Sequence, residues 1–286
     1  MQSDLRAHVA GLLGVAPTTS TTLRGGDVGD AARVELADGR SVFVKTRAGA
    51  PPDFFGVEAR GLSWLAEAGG VPTPDVLGAD DVCLVLQWLE PGRPDRAAAE
   101  RFGRELAATH AAGADSFGAE QDGYIGRQPL PNPVAAGWVD FYAQQRIEPY
   151  LRAARDHGHI RSADVRAVQG VLARLDDLAG PAEPPARLHG DLWAGNVMWL
   201  AGGGCALIDP AAHGGHRETD LAMLALFGLP HLDTVLAAYH ETTPLADGWH
   251  RRIPLHQLHP LLVHAVTHGP SYGVAAGAAA REAMAA

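Results

Sequence analysis

Cysteine is scarce: the 286 residues hold only Cys83 and Cys205, each inside an apolar stretch. That excludes a disulfide framework and reads as two buried thiols in a reducing compartment. A basic surplus is also missing. Lys and Arg total 23 against 33 Asp and Glu, a net charge of -10, and no stripe of basic residues runs through the chain. Nucleic acid is therefore excluded as a partner. No stretch reaches the roughly 18 apolar residues of a membrane span. Met1-Gln2-Ser3-Asp4 lacks the charged head and apolar run of a secretory leader. A cytoplasmic protein without membrane association is the expectation.

What is present is the composition of an ordinary globular protein, 47% apolar and 20% charged. The length permits one large domain or two unequal lobes around a cleft. After a short helix near Asp4 to Leu13, the segment Ala31 to Thr46 reads as two strands joined at Asp38-Gly39, a favoured hairpin pair. Glu58, Leu62 and Leu65 recur at helical spacing before Gly69-Gly70, and Val82 to Leu86 is a short apolar run that fits a buried strand. Pro91-Gly92 then marks a linker. Beyond it, Arg96 to Ala112, Val134 to Ala153, Ser162 to Ala179 and most of Asp220 to Ala286 carry alanine-rich helical patterns. The predicted class is α+β with two lobes, residues 1–90 β-rich and 91–286 mostly helical.

The chemistry concentrates at His189-Gly190-Asp191-Leu192-Trp193-Ala194-Gly195-Asn196 and, after a glycine turn, Leu207-Ile208-Asp209-Pro210. Asp-x-x-x-x-Asn is the spacing of a kinase catalytic loop, where the aspartate receives a hydroxyl proton and the asparagine holds a metal ion. Asp191 fits the base. Asn196 and Asp209 offer the hard oxygen atoms that Mg2+ requires. Each residue alone is an ordinary cap or turn former, and it is their combination that points to phosphoryl transfer. His189 is assigned to orienting the loop. Lys45, in the strand-like Val42-Phe43-Val44-Lys45, is placed to hold the phosphates of ATP, with Glu58 as its ion-pair partner. Gly25-Gly26 opens a glycine-rich segment that either cradles phosphates or is a flexible turn. Gln87, Trp88 and Leu89 follow the apolar run where a hinge would offer backbone groups to adenine, though Trp88 equally suits packing.

Together these residues resemble the fructosamine kinase (ketosamine 3-kinase) family, which is similar in fold to aminoglycoside phosphotransferases and, more distantly, protein kinases. The likeness extends through Asp122-Gly123-Tyr124-Ile125-Gly126, Gln128-Pro129-Leu130-Pro131-Asn132, Trp138-Val139-Asp140-Phe141-Tyr142, His216-Arg217-Glu218-Thr219-Asp220 and Leu258-His259-Pro260-Leu261-Leu262-Val263-His264. The resemblance implies transfer of the ATP γ-phosphate to the third-carbon hydroxyl of a ketoamine, a deglycation activity. It also implies that Asp220 braces the catalytic loop; the residues that contact the substrate are not legible in the sequence, with Trp193 and Arg217 as candidates. Two positions depart from the family pattern: Gln87 replaces a usual glutamate, and Gly29 a frequent asparagine. The competing enzyme is an aminoglycoside, choline or sugar kinase of the same fold. A nucleotide-binding pseudoenzyme is disfavoured because Lys45, Asp191, Asn196 and Asp209 are all present.

Overall fold

The computed structural model describes residues 3–23 and 29–285. Gly25 and Gly26 lie outside the described residues. Helix α1 (Ser3–Leu13) leads into β1 (Pro17–Leu23), β2 (Asp30–Leu36) and β3 (Ser41–Thr46). Helix α2 (Phe54–Ala66) follows, then β4 (Val76–Ala79) and β5 (Cys83–Gln87). The strands form one antiparallel sheet in the order β1-β2-β3-β5-β4. Gly39 at φ 86° supplies the turn between β2 and β3, and Asp38 Oδ1 accepts the Arg40 N–H at 3.1 Å.

Successive side chains of a strand point to opposite faces. Val34, Leu36, Val42, Val44, Cys83 and Val85 pack with Val9 of α1 on one face. Leu84 and Leu86 pack with Phe54, Phe55 and Leu62 of α2 on the other, joined by Phe43. Lys45 lies two residues beyond Phe43, so the period of two sends it to the α2 side. Strand β1 has the sequence Pro-Thr-Thr-Ser-Thr-Thr-Leu and is mostly exposed at the sheet edge. It lacks the apolar alternation by which a strand is recognised, and it is held by pairing with β2.

The chain continues with α3 (Arg96–Ala111), whose N-cap Asp95 accepts the Ala98 N–H at 2.8 Å. The ribbon β6 (Gly123–Ile125) and β7 (Gln128–Leu130) comes next. Helix α4 (Trp138–Phe141) passes through a π-helical stretch, Tyr142–Ile147, into α5 (Glu148–Asp156). The π stretch carries the buried Arg146, which donates to the Pro131 carbonyl at 2.6 Å and to Asn132 Oδ1 at 2.5 Å. It thereby anchors the segment after the ribbon. Helices α6 (Ser162–Leu172) and α7 (Leu175–Leu178) precede β8 (Ala186–Leu188), β9 (Val197–Trp199), β10 (Cys205–Leu207) and β11 (His213–Gly215). β9 pairs with β10 and β8 with β11. These two short ribbons hold the segments 189–196 and 208–212. Helices α8 (Glu218–Phe227), α9 (Leu232–Thr242), α10 (Trp249–His268) and α11 (Pro270–Ala285) complete the helical part. Its two cores centre on α5, α6, α10 and α11, and on α3, α8 and α9.

Candidate active site

A cavity of about 700 Å³ opens between the sheet and the helices, lined by Lys45, Glu58, Asp191, Asn196 and Asp209 among others. Lys45 Nζ donates to Glu58 Oε2 at 2.8 Å, to Glu58 Oε1 at 3.0 Å and to Asp209 Oδ1 at 2.9 Å. One ammonium thus joins the sheet, α2 and the segment after β10. Glu58 is in the second turn of α2, not its first, because the helix begins at Phe54. Burial disfavours the charge on Lys45, but the carboxylates of Glu58 and Asp209 outweigh it and raise its affinity for the proton. Lys45 is also the sole lysine in the sequence. That signal was available without the structure.

Asp209 adopts φ 54°, a left-handed conformation uncommon outside glycine. Burial works against its charge, and Lys45 more than offsets this, so its carboxyl is held below the usual range. For Asp191 the balance is reversed. Burial, then the charge of Asp209, push it up to about 7. Asn196 Nδ2 donates to the Asp191 carbonyl at 2.8 Å and to Asp191 Oδ2 at 3.3 Å. This leaves the side-chain oxygen of Asn196 as its remaining polar atom.

The loop carrying Asp191 is fixed from beneath. Asp220, at the start of α8, accepts the N–H groups of His189 at 2.8 Å and Gly190 at 3.0 Å. His110 Nε2 donates to the same carboxylate at 3.2 Å, and Tyr239 donates its hydroxyl to His110 Nδ1 at 2.9 Å. His189 Nδ1 accepts the Asp191 N–H at 3.2 Å, so its proton sits on Nε2 and goes to the Ile208 carbonyl at 2.9 Å. Burial lowers the His189 pKa and keeps the ring neutral. Gly190, at φ 81°, has the Ala211 carbonyl 2.2 Å from where a Cβ would stand. Only glycine fits there.

The remaining expected residues are placed differently. The cavity lining does not include Gln87, Trp88 or Leu89. Gln87 donates its N–H to the Asp75 carbonyl at 2.9 Å. The Trp88 ring lies 4.7 Å beneath the Arg33 guanidinium and donates its N–H to Glu90 at 2.9 Å. Arg217 is outside the cavity. It forms a bidentate pair with Glu183 at 2.6 and 2.7 Å and donates to the Pro244 carbonyl at 2.9 Å. A Cβ at Gly29 would stand 2.3 Å from the Thr46 carbonyl, which accounts for glycine there.

Sequence reasoning missed the cavity's walls. Leu23, Ala31, Phe43, Met198 and Ile208 supply an apolar slot beside Lys45, as a flat heterocycle requires. Arg127, at the tip of the β6–β7 ribbon, adds a cation. Met223, Pro260, Val263, His264, Thr267 and His268 form the opposite end, next to Trp193. Pro260, Val263, His264, Thr267 and His268 follow the helical period along one face of α10, but that spacing does not say what the face meets, and the other residues come from segments far apart in sequence.

The fructosamine kinase family model matches residues 1–285. A Thermobifida fusca crystal structure assigned as a fructosamine-3-kinase superposes with a TM-score of 0.95 at 52% identity, covering 100% of both chains. A Thermus thermophilus protein assigned as a ketoamine kinase is 39% identical over 254 residues, which is 87% of this chain and 88% of that protein. Aminoglycoside phosphotransferase APH(4)-Ia, at 18% identity and 98% coverage of both chains, has a TM-score of 0.65 and shares the two-lobed, protein-kinase-like α+β fold. The convergence of Lys45, Glu58, Asp191, Asn196 and Asp209 on one cleft agrees with these matches, and the chain belongs to the fructosamine kinase family.

Proposed function

We propose that this protein is an ATP-dependent ketoamine 3-kinase, in which Asp191 is the base, Lys45 with Glu58 the phosphate clamp, and Asn196 with Asp209 the magnesium ligands. The observation that carries the reading is the triple contact of Lys45, which brings Glu58 and Asp209 to one ammonium beside Asp191. Ketoamine is favoured over other hydroxyl acceptors by the whole-chain family match and by the Thermus thermophilus relative.

The residues suit magnesium. Glu58, Asp191 and Asp209 place three carboxylates in a cleft whose cations are Lys45 and Arg127, and the Asp209 charge is one of the causes raising Asp191. A divalent cation would offset that surplus, and the oxygen atoms of Asn196 and Asp209 are the hard donors it takes. Bound there, it would neutralise charge on the transferring phosphate. The protein's own part is positioning and proton removal. The apolar slot of Leu23, Ala31, Phe43, Met198 and Ile208 takes adenine, and Lys45 orients the phosphates. The acceptor hydroxyl gives its proton to Asp191 as its oxygen bonds to the γ-phosphorus. The bond from phosphorus to the oxygen of ADP then breaks. Burial is the largest cause raising the Asp191 carboxyl and strengthens it as a proton acceptor. Gln87 to Leu89, as the hinge, and the glycine-rich segment at Gly25 and Gly26 complete the nucleotide site in this reading, and residues 1–90 and 91–286 form its two lobes. A protein with this chemistry acts in the cytoplasm, where ATP is available.

The test is ATP consumption with Mg2+ across fructosyl-, ribulosyl- and erythrulosyl-lysine, an aminoglycoside, choline and free sugars. Turnover of the ketoamines alone is expected. Turnover of only another acceptor would remove the ketoamine assignment, and none at all would favour a pseudoenzyme.

A further inference from the structure

The end of the cleft opposite the nucleotide slot is built by the last turn of α10, where Thr267 and His268 line the cavity that contains Asp191 and Trp193. A threonine hydroxyl carries one proton, and that of Thr267 goes to the Val263 carbonyl at 3.0 Å. The same oxygen lies 2.7 Å from His268 Nδ1. With the hydroxyl proton already committed, the contact requires the imidazole to donate, so in the neutral ring the proton sits on Nδ1 and Nε2 is a lone pair. The ring is held in place. It stacks on His264 at 5.0 Å and 21°, and meets Tyr272 at 5.9 Å and 60°. Phe227 continues the row, 5.0 Å from His264 and 6.3 Å from Trp193.

This wall is electron-rich: aromatic faces and one imidazole lone pair, with Asp191 in the same cleft, where Glu58 and Asp209 are paired to Lys45 and Arg127 is the other cation. Such a surface favours a cationic N–H donor and disfavours an anion. We propose that His268 is a specificity-determining residue that accepts a hydrogen bond from the ammonium of the ketoamine through Nε2. The inference rests on the reading of the cleft as a ketoamine kinase. In a ketoamine the nitrogen is bonded to the first carbon and the reacting oxygen to the third, so a group that grips the nitrogen also sets the hydroxyl's approach to Asp191. A free sugar has no ammonium and gains nothing from the aromatic faces.

The experiment compares the wild-type enzyme with His268→Phe, which keeps a flat ring and its stack, and His268→Gln, which restores an acceptor. Acceptors are fructosyl-lysine and an ether analogue in which oxygen replaces the ketoamine nitrogen. The expected result is that His268→Phe raises KM for fructosyl-lysine about fivefold, the worth of one net hydrogen bond. Its kcat stays within twofold, KM or competitive Ki for the ether changes less than twofold, and His268→Gln recovers most of the loss. An unchanged KM for fructosyl-lysine, or an equal rise for both acceptors, would overturn the inference alone. A wild-type enzyme inactive on every ketoamine would overturn the functional reading and this inference with it.

Discussion

Replacing Asp220 with asparagine tests how the catalytic loop is held. Three donors converge on this carboxylate, which is 1% exposed: His189 N–H, Gly190 N–H and His110 Nε2–H. Asparagine offers one accepting oxygen. Placed at the Oδ2 position it still serves His189 and His110, but its NH2 group then faces the Gly190 N–H and leaves a buried donor unsatisfied. That costs about 1–3 kcal/mol, and losing the charge from the other two bonds adds about 1 kcal/mol more. A total near 3 kcal/mol is a large share of the roughly 5–15 kcal/mol that holds a domain folded. At a urea dependence of about 3 kcal/mol per molar, the unfolding midpoint falls by about 1 M. Gly190 immediately precedes Asp191, so releasing it shifts the proposed base, and a displacement of about 1 Å costs on the order of a hundredfold in rate. Urea unfolding followed by fluorescence and steady-state kcat measure both effects. A variant with its midpoint within about 0.3 M of wild type and kcat within about threefold would refute the reasoning.

Asp191→Asn keeps the volume but removes the proton acceptor, so kcat should fall by about 10²–10⁴-fold with ATP affinity largely retained. Near-normal turnover would discard Asp191 as the base. The variant also removes the repulsion with Asp209 that raises Asp191, so its thermal midpoint should equal or exceed that of wild type. The stability profile with pH follows from groups shifted in opposite directions. Burial lowers His213 and His216 to about 3, so each contributes stability that is lost as pH falls below 6.5. Glu58 and Asp191, both raised, bind protons in the folded state over the upper part of that range and offset part of this loss down to about pH 4.5. Glu218 resists burial through its bonds with Arg252 and is lowered to about 2, so its contribution is lost as pH falls from 4.5 towards 2. His259 and His189, likewise lowered by burial, add to the same loss, so unfolding free energy should fall as pH drops below 6.5 and fall more steeply once Glu218 joins below pH 4.5. Glu218→Gln should reduce the slope below pH 4.5 by about 1.4 kcal/mol per pH unit, as read from urea titrations at each pH, and an unaltered slope would contradict the assignment.

Much of the catalytic centre was legible because its chemistry is local. Asp191 and Asn196 stand five positions apart in one loop, and a glycine turn sets Asp209 close behind them, so sequence spacing alone groups the three. Lys45 and Glu58 were legible as a pair because strand alternation and helical periodicity orient each toward the other's element. Arg217 shows the limit of that approach. Its motif suggested a substrate contact, but the charge is taken by Glu183, 34 positions earlier and outside any shared pattern.

The sequence by itself determined the α+β pattern, the family and the acid, amide and lysine groups of the site, since short-range spacing and hydrophobic period encode them. Only the tertiary structure decided what surrounds that chemistry. The slot of Leu23, Ala31, Phe43, Met198 and Ile208, and the wall of Trp193, His264 and His268 backed by Phe227, are assembled when the sheet and α10 close on one cleft. The tautomer of His268 depends on where the Thr267 hydroxyl proton goes. The slot and the wall arise from packing between segments with no regular separation in the chain, which no residue spacing expresses, whereas the Val263-Thr267-His268 relay is local to α10 and the fold decides only that it faces the cleft.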